Sequence, residues 1–268
     1  MRADCHIHIV LDGCGGRTDE EKIRNVLAAY QAQGYTYLRD GGDKWGASCL
    51  ARVLAPEYGI AYRTPFAPLC KAGHYGSFIG RTFADGKEYA ALVNGQKAAG
   101  ADFIKIMISG LMDFDRFGVL TEPGLSKEEI RELIYIAHEA GMAVMAHANG
   151  ARTVEAAAEA GVDSVEHGAY LDTDALEAMK EAGTVWVPTL SAIGNLRGTG
   201  RFSEDTVARI LENAMENLAS CQCPVAPGTD AGAWAVPHGA DTEQALLDQA
   251  GITPERLAQG IKIIQEKF

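Results

Sequence analysis

Residues 141–147 read GMAVMAH, an apolar run that opens on a glycine and ends on a histidine. The glycine stops a helix and the run after it reads as a short strand. This pattern decides the fold because it recurs. Residues 2–8, RADCHIH, end on His6 and His8. Residues 101–109, ADFIKIMIS, carry Lys105. Residues 162–167, VDSVEH, end on His167, and residues 223–230, CPVAPGTD, end on Asp230. Helix-like stretches separate the runs. Strands whose ends gather ligand-type side chains, with a helix after each, describe an α/β chain folded as a single (β/α)8 barrel of TIM type. Its metal site would lie at the C-terminal ends of the strands.

The remaining segments fill out eight strand-helix units. Strands are expected at 6–11, 36–39, 60–69, 102–108, 143–147, 163–166 and 184–188, with the eighth starting near Val225. Helices are expected between them, the best marked at 126–140. There Ser126 and Glu129 stand three apart, as in a capping box. Gly100 and Gly183 fall where a left-handed cap joins helix to strand. An open doubly wound sheet is the alternative. It suits the ligand pattern less, because groups from strands one, four, five, six and eight would not converge at one crevice.

The bulk composition narrows the function. The 268 residues, 47% hydrophobic, suit one domain over 1–268. The net charge is -12 and no basic stripe is present, which argues against nucleic acid. No apolar run reaches the ~18 residues of a membrane span. Six cysteines are scattered along the chain with no secretory leader ahead of them, so reduced thiols and a cytoplasmic protein are expected. Cys221 and Cys223 lack the second half of a structural zinc site and read as small buried residues.

His6 and His8 are two apart on a strand, so their rings share one face. In isolation they could equally be hydrogen-bonded core histidines. Joined by His147, His167 and Asp230 they read as metal ligands. Lys105 alternates with Ile104 and Ile106 and shares its face with Phe103 and Met107. A lysine there is paired with an acid such as Asp230, neutral, or modified, because an isolated buried ammonium is costly. Beside metals the favoured modification is a carbamate formed with carbon dioxide. Asp230 is open to three roles: ligand, general base or turn former.

These stretches, together with YLRDGG, LSKEEIRELIYIAHEAG, VMAHANG, AGVDSVEHGAYLD, VPTL, APGTDAG and VPHG, resemble the amidohydrolase superfamily over nearly the whole chain. The likeness is to its Xaa-Pro dipeptidase (prolidase)-like and imidazolonepropionase-related branch. It implies two divalent metal ions. His6, His8 and Asp230 would hold the deeper one, His147 and His167 the other, and carboxylated Lys105 would bridge them. Zinc is the expected ion, although imidazole and carboxylate also suit manganese, iron or cobalt. The resemblance assigns substrate contacts to Tyr170 and His74 and proton transfer to Asp230. His238 would stand behind the ligands, and the loop 110–118 would shape the pocket. His138, inside a helix, reads as a surface residue.

The family's small β-sandwich has no counterpart in these residues, so surface it would cover is expected between subunits of a homo-oligomer. The resulting expectation is a binuclear amidohydrolase. Its substrates would be dipeptides or N-acyl amino acids with a carboxylate, attacked by a metal-bridging hydroxide. Lactone or phosphoester hydrolysis, a mononuclear deaminase and a non-catalytic metal-binding barrel are the alternatives. Arg63, Arg152 and Arg197 are the arginines considered for an acidic group.

Overall fold

The computed structural model describes residues 2–268. β1 (Arg2–Ile7), β2 (Tyr35–Asp40) and β3 (Ala61–Arg63) form one parallel sheet. The second sheet contains β4 (Leu69–Lys71), β5 (Arg81–Phe83), β6 (Ile104–Met107), β7 (Val144–Ala148), β8 (Ser164–His167) and β9 (Val185–Val187). Its order is β5-β4-β6-β7-β8-β9, again parallel. From β6 to β9 each strand pairs with the next in sequence, with no reversal of order as in a doubly wound sheet.

Helices α1 (Glu20–Ala32), α2 (Ala47–Leu54), α3 (Gly86–Ala99), α4 (Lys127–Glu139), α5 (Ala151–Glu159) and α6 (Thr173–Ala182) alternate with the strands. Then come α7 (Leu190–Gly194), α8 (Glu204–Ser220), α9 (Thr242–Gln249) and α10 (Pro254–Lys267). The capping box at Ser126 and Glu129 is formed at the start of α4. Gly100 and Gly183 end α3 and α6 in the left-handed region.

Several strands differ from the sequence reading. The first, expected at 6–11, is β1 at Arg2–Ile7, and β5 has no counterpart among the expected strands. The run 60–69 splits into β3, paired with β2, and β4, paired with β6. Pro65 and Pro68 lie in the gap, and proline has no N–H for a ladder. The expected eighth strand is reduced to isolated bridges, Trp186 to Val225 and Ile7 to Ala231. Pro224 and Pro227 are the physical cause.

This irregular segment still joins the two sheets. The Trp186 N–H donates to Pro224 O (2.8 Å) and the Ala226 N–H to Trp186 O (3.0 Å). On its other side the Cys5 N–H donates to Pro227 O, the Asp230 N–H to His6 O and the His8 N–H to Ala231 O, at 2.7–2.8 Å. Gly228 allows that approach, since a Cβ there would lie 2.4 Å from Val187 Cγ1 and 2.8 Å from His6 Cβ. At the opposite seam the Asp102 N–H donates to Thr64 O (3.0 Å).

Strand alternation sorts the core into two layers. Ile104, Ile106 and Ile108 face outward and pack with Ile130, Leu133 and Ile134 of α4. Phe103 faces inward and packs with Cys5, Met145, Val185, Val187 and Ala226. Ile261, Ile264 and Phe268, from α10 and its end, close this interior cluster. Burying each such side chain contributes roughly 1.5–3 kcal/mol.

Candidate active site

Above the Phe103 layer the interior turns polar. His6 Nε2 and His8 Nε2 are 3.3 Å apart, and Asp230 Oδ1 lies 3.5 Å from the first and 3.4 Å from the second. Ligands about 2.1 Å from one tetrahedral ion are about 3.4 Å from each other. The three donors therefore already stand at metal-ligand spacing. Among the described residues this is the one group of three or more His, Cys, Asp or Glu donors drawn so close. Gly41 leaves room for His8, since a Cβ there would meet the ring at 2.5 Å.

A buried network fixes these side chains. His6 Nδ1 is 2.5 Å from Glu166 Oε2, so Nδ1–H donates to the carboxylate and Nε2 is left free as a donor to metal. The other Glu166 oxygen accepts from Arg39 (2.8 Å) and from the Ser164 hydroxyl (2.6 Å). Arg39 also donates to Cys5 O and Ser164 Oγ. Its guanidinium carbon lies 4.5 Å from the Phe268 ring centroid. Asp4 accepts from the Thr229 N–H and hydroxyl at 2.9 and 2.7 Å, which anchors the turn carrying Asp230.

His147 and His167 complete a run of imidazoles. Ring centroids are 5.2 Å apart for His6 and His8, 5.1 Å for His6 and His167, and 4.6 Å for His167 and His147. Glu166 and His167 are consecutive, so alternation alone would send one of them outward. His167 has φ 68°, in the left-handed region, which breaks the alternation at the strand end. Its Nδ1 is 2.7 Å from the Thr189 hydroxyl. His147 Nε2 donates to Gly110 O (3.2 Å), and its ring lies 4.8 Å from that of Tyr75.

Lys105 is buried, and its Nζ has no hydrogen-bond partner. No salt bridge to Asp230 forms. Burial first, then the Arg39 charge, lowers the amine to about 8. Burial likewise pushes Asp230 up to about 7. Burial and Lys105 together hold His8 and His147 down near 3. The site is thus a set of neutral imidazoles around an unpartnered amine, a donor set that fits a cation.

These groups open into a cavity of about 500 Å³. Leu111, Met112, Asp113, Phe114 and Asp115 line it, as expected of the loop 110–118. Tyr75, Phe78, Phe202 and Trp234 give it an aromatic wall.

His74 and Tyr170 are not on that wall. His74 is part-exposed, 4.0 Å from Glu122, and Tyr75 takes the place beside His147. Tyr170 packs edge to face on Phe117 (5.4 Å) against the outer core. His238 donates to Leu11 O (2.9 Å) rather than to a ligand. His138 is exposed and pairs with Asp163 (3.0 Å). Cys221 and Cys223 are free and buried, as expected. Sequence reading passed over Glu166, Arg39 and Asp4. The signal was present: a charged residue inside an apolar strand is affordable only when paired.

Comparison with known proteins agrees with this geometry. A segment of 112 residues, 41% of this chain, is 37% identical to ochratoxinase of Aspergillus niger and covers 23% of that protein. A 142-residue segment, 49% of the chain, is 32% identical to an uncharacterized protein of Mycobacterium bovis and covers 38% of it. The chain thus matches less than half the length of these relatives. A solved Xaa-Pro dipeptidase with bound methionine in its active site superposes with a TM-score of 0.81 at 22% identity. That match covers 99% of this chain and 75% of that one. The profile of the amidohydrolase family matches residues 3–261. Nearly every strand and candidate ligand described above lies within those bounds, and the chain belongs to the amidohydrolase family.

Proposed function

We propose that this protein is a metal-dependent hydrolase of C–N bonds in small amides that carry a free carboxylate, dipeptides or N-acyl amino acids. In this reading the two sheets and the segment 223–231 act as one (β/α)8 barrel. The single observation that carries it is the convergence of His6 Nε2, His8 Nε2 and Asp230 Oδ1 within 3.3–3.5 Å of one another on the cavity wall. The partnerless Lys105 amine and the dipeptidase-like fold support it.

His6, His8 and Asp230 would hold one ion, and His147 and His167 a second, with zinc the first choice. Lys105 as its carbamate would lie between them: the neutral amine adds to carbon dioxide and loses a proton, leaving an anion with two oxygen donors. Bound divalent ions polarise a carbonyl and lower the pKa of water. The chain's own residues do the rest. Asp230 takes the proton of the attacking water and delivers it to the leaving nitrogen. Glu166 keeps His6 in one tautomer. The apolar wall excludes bulk water and seats the acyl group. Tyr75 replaces His74 and Tyr170 as the aromatic neighbour of the reacting groups.

A mononuclear site is the second reading, favoured by one observation: the His147 Nε2 is already engaged by Gly110 O. Metal ions per chain, counted after growth with zinc and bicarbonate, separate the two. Two ions, with turnover of dipeptides or N-acyl amino acids, support the binuclear amidohydrolase. One ion makes Lys105 an ordinary amine. Turnover of lactones or phosphate triesters alone would move the assignment away from amides, and none on any panel member would leave a binding protein.

A further inference from the structure

The cavity lining includes one exposed cationic side chain that no carboxylate among the described residues neutralises. Arg201 lines the wall, and its guanidinium carbon lies 4.1 Å from the Trp234 ring centroid and 5.3 Å from that of Phe202. These cation–π contacts hold the guanidinium against the wall, and its N–H groups have no hydrogen-bond partner among the described residues. Among the described residues no carboxylate lies within ion-pair distance of it. Of the three carboxylates that line the cavity, Asp230 stands with His6 and His8, and the other two are engaged elsewhere. Asp113 is paired with Arg116. Asp115 accepts the Ser203 N–H at 2.9 Å.

The other arginines considered are unsuited. Arg63 faces Asp102 at 3.9 Å, and neither Arg152 nor Arg197 lines the cavity. The remaining cation on the wall, Lys105, is buried. On a chain of net charge -12, Arg201 is the arginine that lines the cavity, and it has no carboxylate partner among the described residues. An anion is what it lacks.

We propose that Arg201 is the specificity residue for the substrate's free carboxylate, and that the aromatic wall selects a bulky apolar group beside that carboxylate. The proposal rests on the amide-hydrolase reading for its meaning, but its test does not. The probes are 3-phenylpropionate and its neutral isostere 3-phenylpropanamide, titrated calorimetrically into the full-length zinc-loaded protein. We expect the acid to bind about tenfold more tightly than the amide, as a charge-assisted pair with a bidentate donor allows.

Arg201→Gln keeps the side chain over Trp234 but removes the charge. It should bring the two probes within about twofold of each other, and Arg201→Lys should restore part of the gap. Circular dichroism and metal content checked on each variant separate misfolding from loss of the anchor. Equal affinity of acid and amide for the unmodified protein overturns the proposal. So does an acid preference that survives Arg201→Gln, which would place the carboxylate on the metal instead. No binding of either probe overturns it as well. Absence of turnover with a preserved, Arg201-dependent preference sinks the hydrolase reading and leaves the anion site standing.

Discussion

The two halves of the histidine cluster are finished to different degrees. In the His6 corner, three donor atoms stand 3.3–3.5 Å apart, and a buried carboxylate holds one imidazole in place. Across the cavity, His147 and His167 touch ring to ring, but His147 Nε2 is bonded to Gly110 O and His167 Nδ1 to a hydroxyl. The corner takes His6 from β1, His8 from just past its end and Asp230 from a turn bonded to both. The pair comes from the ends of β7 and β8. Donor atoms already at metal spacing are preorganised, whereas donors bonded elsewhere must first be released.

The largest effect should come from Asp230→Asn. Metal content should stay near that of the parent protein while kcat falls by about 1,000-fold, the middle of the range for losing a general acid-base group. Retained turnover would remove Asp230 from the proton path and make the corner a plain metal clamp.

Glu166→Gln tests how far the corner depends on its backing. Zinc affinity should fall by about 10–100-fold, as for other residues that orient a metal-binding histidine. The fold should also lose about 3 kcal/mol, because Arg39 would keep a buried charge without its counter-ion. Competition with a chelator and thermal melting read the two effects separately. Loss of stability with unchanged zinc affinity would show that Glu166 serves the core alone.

Two tyrosines probe the opposite wall. Tyr75→Ala removes the ring beside His147 and should raise KM several-fold. Tyr170→Phe should change kcat/KM by less than about twofold, because its hydroxyl is outside the cavity lining. The reverse order would restore Tyr170 to the reacting centre and require its loop to move.

The smallest effect concerns Glu243, which is buried beneath the Asp230 turn and accepts from the Ser191 N–H and hydroxyl. Burial raises it from 4.5 to about 8. The folded chain therefore keeps a proton that the unfolded chain releases. This stabilising term is full below the unfolded value and is lost as pH rises through about 8. Between about pH 6 and pH 9 the parent should lose about 2 °C more in Tm than Glu243→Gln does. Parallel curves would mean that Glu243 is ionised throughout.

Much of this architecture was legible in the chain. The spacing of apolar runs and the caps at Ser126, Gly100 and Gly183 mark the strand-helix alternation, because backbone periodicity is a local property. Alternation along 103–107 correctly sent Lys105 inward with Phe103. His6, His8 and Asp230 were legible as candidate ligands because each ends an apolar run, where a polar side chain needs a reason. The seams were not legible. Whether Pro65, Pro68, Pro224 and Pro227 end a strand or only interrupt it depends on which neighbour needs their missing N–H.

The substrate wall was the least visible part. His74 and Tyr75 are adjacent in sequence, and only packing against His147 selects the second. Arg201 lies far from every ligand run, on a loop whose position is set by contacts with the 110–118 loop. The sequence by itself determined the order of strands and helices and which side chains end the strands, since both follow from short-range periodicity and polarity. Only the tertiary structure decided which donors meet at metal spacing, that Glu166 and Arg39 stand behind His6, and that Arg201 faces the cavity without a partner. Those are distances between residues as far apart in the chain as His6 and Asp230, and nothing local encodes them.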